Sequence, residues 1–178
     1  DLLPFEEAKL FGHNAIHALL GYLAAERGYS AMSDIAADNE LLEIGRTAFI
    51  DECGAALVGK YAGTGDELFT SAGFRDYAED LLIRMHNPFL QDAVARICRD
   101  PQRKLSWDDR LVGTMHLALT HGIEPHKMAR GVLAALRFQQ PDTEITASGA
   151  ETTLREIWGT SADGHADRII QLVQSWVG

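Results

Sequence analysis

The sequence has 178 residues, enough for one domain that buries about 70% of its unfolded surface. Hydrophobic residues make up 46% and charged residues 24%, as in ordinary globular proteins, and no apolar run approaches the roughly 18 residues that a membrane span needs. A net charge of −10, from 16 basic and 26 acidic residues, argues against nucleic acid or an anionic membrane as partner, except where the basic residues cluster.

The pattern predicts helices nearly throughout, with no sustained alternation and no Asn-Gly hairpin. Pro4 suits a first helical turn, and the pattern runs from there to about Gly28, a fitting C-terminal cap. A short helix is expected after Ser33 and a longer one over 39–61. Thr64 with Glu67 reads as a capping box opening a helix toward His86. Asn87-Pro88 repeats the start signal for a helix ending near Asp100-Pro101. Ser106 with Asp109 is a further box, for a helix stopping at Gly122. Pro125 starts the next, to about Phe138, followed by a polar loop over 139–149 and two shorter helices, 150–158 and 163–177. The expectation is a single all-α domain, 1–178, of eight or nine helices. Its acidic start, DLLPFEEAKL, lacks the basic region of a signal peptide. Cys53 and Cys98 form no CxxC pair and read as buried small hydrophobes in a reducing, cytoplasmic setting.

Two groups of residues stand out. On the first helix, at 100° per residue, His13 lies roughly 40° from Lys9, His17 roughly 80° and Asn14 roughly 140°. A lysine, an amide and imidazoles thus share one side of the helix and suit a small polar ligand. They equally suit a solvated lysine with a satisfied core histidine. His13 and His17 have the spacing of two zinc ligands on a helix, but no HExxH is present and no acidic residue stands between or near them, so no metal is expected. The second group is Arg96, Arg99, Arg103, Lys104 and Arg110, five cations within fifteen residues of an acidic chain. Arg96 and Arg99 suit the end of a helix, where cations meet the dipole. Arg103 and Lys104 follow in a loop. Such a loop binds phosphate or carboxylate through bidentate arginines, or it is a set of surface ion pairs with Asp100, Asp108 and Asp109. The string Gly63-Thr64-Gly65 lacks a third glycine and a preceding strand, so no dinucleotide-binding turn is predicted.

Together the two groups resemble the C-terminal domain of the polyol-specific long-chain dehydrogenases. That family carries lysine, asparagine and histidine at the spacing of Lys9, Asn14 and His17, and arginine and lysine at the spacing of Arg96 and Lys104. Its phosphate-using branch reads much like Asn87-Pro88 to Asp92, the run from Arg96 to Ser106, and Asp109 to Leu111. The resemblance covers about residues 5–138. It implies an all-α fold similar to the C-terminal domain of 6-phosphogluconate dehydrogenase. It also implies a metal-independent, NAD-dependent oxidation of mannitol 1-phosphate to fructose 6-phosphate. Lys9 would be the general base. Asn14 would hydrogen-bond the reacting oxygen, and His17 a neighbouring hydroxyl. Arg96 and Lys104 would hold substrate hydroxyls, and Arg99 and Arg103 the phosphate. NAD would be bound mainly by an N-terminal nucleotide-binding domain that this chain lacks, so the chain alone is expected to be inactive. The alternatives are a reductase of sugar acids such as fructuronate or tagaturonate, and a non-catalytic helical module for a protein partner. The last predicts an exposed apolar patch and no convergence of Lys9, His17, Arg96 and Lys104.

Overall fold

The computed structural model describes all residues 1–178. Pro4 sits in the first turn of helix α1, which runs unbroken over 3–26 in three stretches: α-helical Leu3–Glu7, π-helical Ala8–Asn14 and α-helical Ala15–Glu26. Gly28, at φ +78°, turns the chain away just beyond it, a conformation in which glycine carries no steric penalty. From Ala15 to Ala24 only His17 is not fully buried. A helix apolar on every side belongs at the centre of a fold, and α1 is the axis of this one. Close approach to it depends on two glycines. A Cβ at Gly131 would stand 2.5 Å from Leu19, and a Cβ at Gly21 would stand 2.6 Å from Ile97.

A 3-10 helix, Met32–Ala37, takes the place of the short helix expected after Ser33. Helix α2 covers 39–61, as expected, but its middle, Ala48–Gly54, is a second π-helical stretch. The two π stretches adjoin, with Phe49 lying over Gly12. Thr64 and Glu67 form no capping box. Thr64 donates its hydroxyl to the Tyr61 carbonyl, Gly65 turns left-handed, and Asp66 caps only a 3-10 turn, Glu67–Phe69. Helix α3, Ser71–Met85, starts instead at Thr70, whose hydroxyl accepts the Gly73 N–H.

The helix expected from Pro88 to Asp100 is broken into pieces. Asn87 does cap, but only one 3-10 turn, Pro88–Leu90, before Gln91 goes left-handed at φ +51°. Two four-residue helices follow, α4 (Val94–Ile97) and α5 (Pro101–Lys104), separated by Asp100 at φ +60°. Tertiary pairing overrides the local signal here. The Asp92 carbonyl accepts the Met32 N–H and the Val94 N–H donates to the Ser30 carbonyl, so groups that a continuous helix would use are engaged elsewhere.

Ser106 and Asp109 also fail to open a helix. Asp109 accepts the N–H of Arg110 next to it, and α6 begins only at Val112, ending at Thr120 before Gly122 at φ +74°. Helix α7, His126–Gln139, follows Pro125, which supplies no side-chain cap. The buried Glu52 supplies it from the π stretch of α2, accepting the N–H groups of Lys127 (2.8 Å) and Met128 (3.0 Å). Helices α8 (Ala147–Trp158) and α9 (Ala166–Gln174) close the fold. With each π-interrupted helix counted once, there are nine helices around a single contiguous core. No strand forms; one isolated antiparallel bridge joins Ala31 and Ala93. No helix is long and apolar enough to cross a membrane.

Candidate active site

The segment 94–105 is built onto α1 by bonds between side chains and backbone. Tyr22, buried in α1, donates its hydroxyl to the Cys98 carbonyl at 3.1 Å. Lys104 is also buried, and its ammonium donates to the carbonyls of Ile97 and Arg99 while lying over the Tyr22 ring. It thus satisfies two carbonyls left open where α4 ends. From the far side, the Trp158 indole donates to the Leu105 carbonyl at 3.0 Å. Helix α8 therefore braces the cationic segment.

Between this segment and α1 lies a cleft of about 440 Å³. Asn14, His17 and Ala18 line it from α1, and Arg96, Ile97, Arg99, Asp100, Arg103 and Lys104 from the other wall. Arg110 completes the lining. From the sequence, Arg110 is only one of five clustered cations, with no part in the expected site.

The cations are unequally engaged. Arg96 pairs with Asp92, and the Nε of Arg103 lies 3.3 Å from Asp100. Arg110 donates both its backbone N–H (2.6 Å) and its Nε–H (2.9 Å) to one oxygen of Asp109. Arg99 has no carboxylate partner; its Nε reaches the Arg96 carbonyl at 3.4 Å. Five cations against the three carboxylates Asp92, Asp100 and Asp109 leave two positive charges at the cleft of an acidic chain. Burial first, and Arg110 next, hold the Lys104 ammonium below the usual lysine range. Burial raises the Cys98 thiol to about 11, so it stays protonated and unreactive at neutral pH.

His17 is neutral at neutral pH. Burial lowers it to about 4, and Asp92, which pulls the other way, does not compensate. Asp92 stands 3.9 Å from Nε2, beyond hydrogen-bond reach, so with a neutral imidazole this is no ion pair. The buried Nε2 has no hydrogen-bond partner within the protein. His13 stacks against His17 with ring centroids 6.1 Å apart and is lowered by burial and then by Lys9. No three His, Cys, Asp or Glu side chains are placed to hold a metal ion.

The structure brings Asn14, His17, Arg96, Arg99, Arg103 and Lys104 to one cleft. Lys9 does not line it. It is exposed, makes no ion pair or side-chain hydrogen bond, and sits one turn up α1 at the shoulder. The π stretch changes its relation to Asn14. In an α-helix the two would be roughly 140° apart, but a π-helix repeats at i, i+5, so Lys9 stands over Asn14.

The sequence matches the family model of the mannitol dehydrogenase C-terminal domain over residues 1–173. The match extends well past residue 138 and includes α8, the helix that braces the site. A mannitol-1-phosphate 5-dehydrogenase of Brevibacillus brevis is 33% identical over 96% of this chain. The chain spans 45% of the length of that relative. It belongs to the mannitol dehydrogenase C-terminal domain family.

Proposed function

We propose that this chain is the substrate-binding half of an NAD-dependent polyol-phosphate dehydrogenase that interconverts mannitol 1-phosphate and fructose 6-phosphate. The observation that carries this reading is the cleft's two surplus positive charges beside a neutral histidine with an unmet hydrogen-bonding nitrogen. A phosphate monoester carries about −1.5 to −2 at pH 7, which matches the surplus better than the single charge of a sugar acid. The relative's printed activity agrees with it.

In this reading Asn14 and His17 bind substrate hydroxyls near the reacting carbon, and Lys9 accepts the alcohol proton. Lys9 makes no ion pair within this chain, and Glu7 on the same helix pairs with Lys60 instead. A covering domain would desolvate Lys9 and favour its neutral form. Arg96 orients the polyol, with Asp92 fixing its guanidinium. Lys104 spends two donors on backbone carbonyls, so it shapes the wall and offers the polyol one donor at most.

The Gly63-Thr64-Gly65 turn is unsuited to a dinucleotide: Gly63 belongs to a 3-10 turn after α2, Gly65 follows it, and no strand precedes them. In this reading NAD is held mainly by a nucleotide-binding domain outside this chain, for which the greater length of the relative leaves room. Leu2, Leu3, Phe5, Ile83, Phe89 and Leu90 are exposed and offer that domain apolar contact. The test is to join the chain to its nucleotide-binding half and follow NAD reduction with mannitol 1-phosphate. Lys9→Ala should cost about 10² to 10⁴ in rate at saturating NAD. A loss below tenfold would remove Lys9 from the role of base.

A further inference from the structure

The cleft has two ends. Asp92 lies 3.9 Å from His17 and pairs with Arg96, which gathers these groups at a histidine end, where the polyol chemistry is placed. Arg103 and Arg110 line the same cleft but pair instead with Asp100 and Asp109, and they form its second end. Of the arginines at the cleft, Arg110 is the least exposed. Its side chain is about 22% exposed, against 57% for Arg96 and for Arg103. Its backbone is held at both sides: the N–H by Asp109, and the carbonyl by the hydroxyl of the fully buried Thr114 at 2.6 Å. Asp109 takes its Nε–H, so both terminal nitrogens remain for a ligand. Arg103, pairing only through an exposed contact to Asp100, is free to swing toward the same ligand.

We propose that Arg110 is the principal ligand of a terminal phosphate monoester at the cleft end opposite His17, with Arg103 as a mobile second ligand. This rests on the reading of the cleft as a polyol-phosphate site and deepens it. An arginine already fixed through Nε presents its remaining edge as a fork, which matches two phosphate oxygens and loses little freedom on binding. Placing the phosphate at this end also separates its charge from Lys9, whose base function a nearby dianion would oppose.

The test is calorimetric titration of the 178-residue chain at low salt with mannitol 1-phosphate, mannitol and inorganic phosphate, for wild type, Arg110→Gln and Arg110→Lys. A charge-assisted bidentate contact predicts that Arg110→Gln weakens the ester about ten- to a hundredfold. Mannitol affinity should stay within about twofold, because the hydroxyl contacts are intact. Arg110→Lys, which keeps a point charge near Asp109 and Thr114, should recover only part of the loss. Equal ester binding by wild type and Arg110→Gln would overturn the assignment and leave the polyol-phosphate reading standing. Loss of inorganic phosphate binding in Arg110→Gln, in a chain that never bound the ester, would keep the anion site and overturn that reading. If Arg110→Gln melts early, Arg110→Lys decides: full ester affinity would overturn the fork.

Discussion

Glu52 offers the sharpest test of how this fold is held together. Its carboxylate is buried and receives the N–H groups of Lys127 and Met128, the first free donors of α7. Truncation in Glu52→Ala leaves both donors inside the protein with nothing to bind. Each unmade bond costs about 1–3 kcal/mol, so the pair costs about 2–6 kcal/mol. For a chain of this length each kcal/mol lowers the melting temperature by about 2–4 °C, and a fall of about 10 °C is expected. Burial pushes the Glu52 carboxyl above its ordinary value of 4.5, and the two amides pull it back only partly. A raised folded value means that the native state binds the proton more tightly than the unfolded chain. This contribution is full below 4.5 and is lost as pH rises through the folded value. The stability difference between wild type and Glu52→Ala should therefore narrow as pH rises across that window. Because burial penalises the charge, the isosteric Glu52→Gln should lose far less than Glu52→Ala. Thermal melts by circular dichroism at pH 4 to 8 measure all of this. A melting point for Glu52→Ala within 2 °C of wild type at each pH would refute the capping argument.

Further outcomes follow from the site. His17 should titrate near 4 in a proton-detected imidazole NMR experiment, and Asp92→Asn should move the midpoint lower, since Asp92 is the group that raises it. Because the folded value lies below the ordinary 6.5, the unfolded chain protonates first as pH falls. His17 should thus withdraw stability between 6.5 and about 4, on the order of 3 kcal/mol in full. Lys104→Met removes the buried donor of the Ile97 and Arg99 carbonyls and should destabilise by about 3 kcal/mol in denaturant melts. Arg99→Gln, five positions away and exposed with no carboxylate partner, should stay within about 0.5 kcal/mol.

The fold class was readable because its signals are local. Apolar spacing and terminal Pro and Gly residues placed helices 3–26 and 39–61, and Gly122 marked the end of α6. Where long-range pairing took over, local reading failed. Thr64, Asn87 and Ser106 all look like helix starts, yet Gly65 and Gln91 turn left-handed after the first two and Asp109 bonds its own neighbour Arg110 after the third, and beyond Gln91 the backbone of Asp92 and Val94 pairs with distant Met32 and Ser30. At the site, spacing brought out Asn14, His17, Arg96 and Lys104, which do meet at one cleft. It could not show the π stretch, because apolar periodicity does not reveal a change from i, i+4 to i, i+5 bonding. Nor could it show that Lys104 is buried, since a lysine among arginines reads as solvated. Arg110 was obscured for a similar reason: beside two aspartates it looks like a surface ion pair.

The wide turns in α1 also bear on how this helix tolerates changes of length. Residues 8–14 hold one residue more than regular winding would need, while Ala15 to Glu26 is locked into the core. Removing a single residue between Lys9 and Asn14 would let the interval rewind as regular α-helix, with the two then four positions apart and roughly 40° from each other. Upstream, the buried Pro4 and Ala8 would stay close to their present phase, and Lys9 would stay beside Asn14. The interval thus acts as slack in the helix: it can give up one codon while the reactive group keeps its alignment with the binding wall.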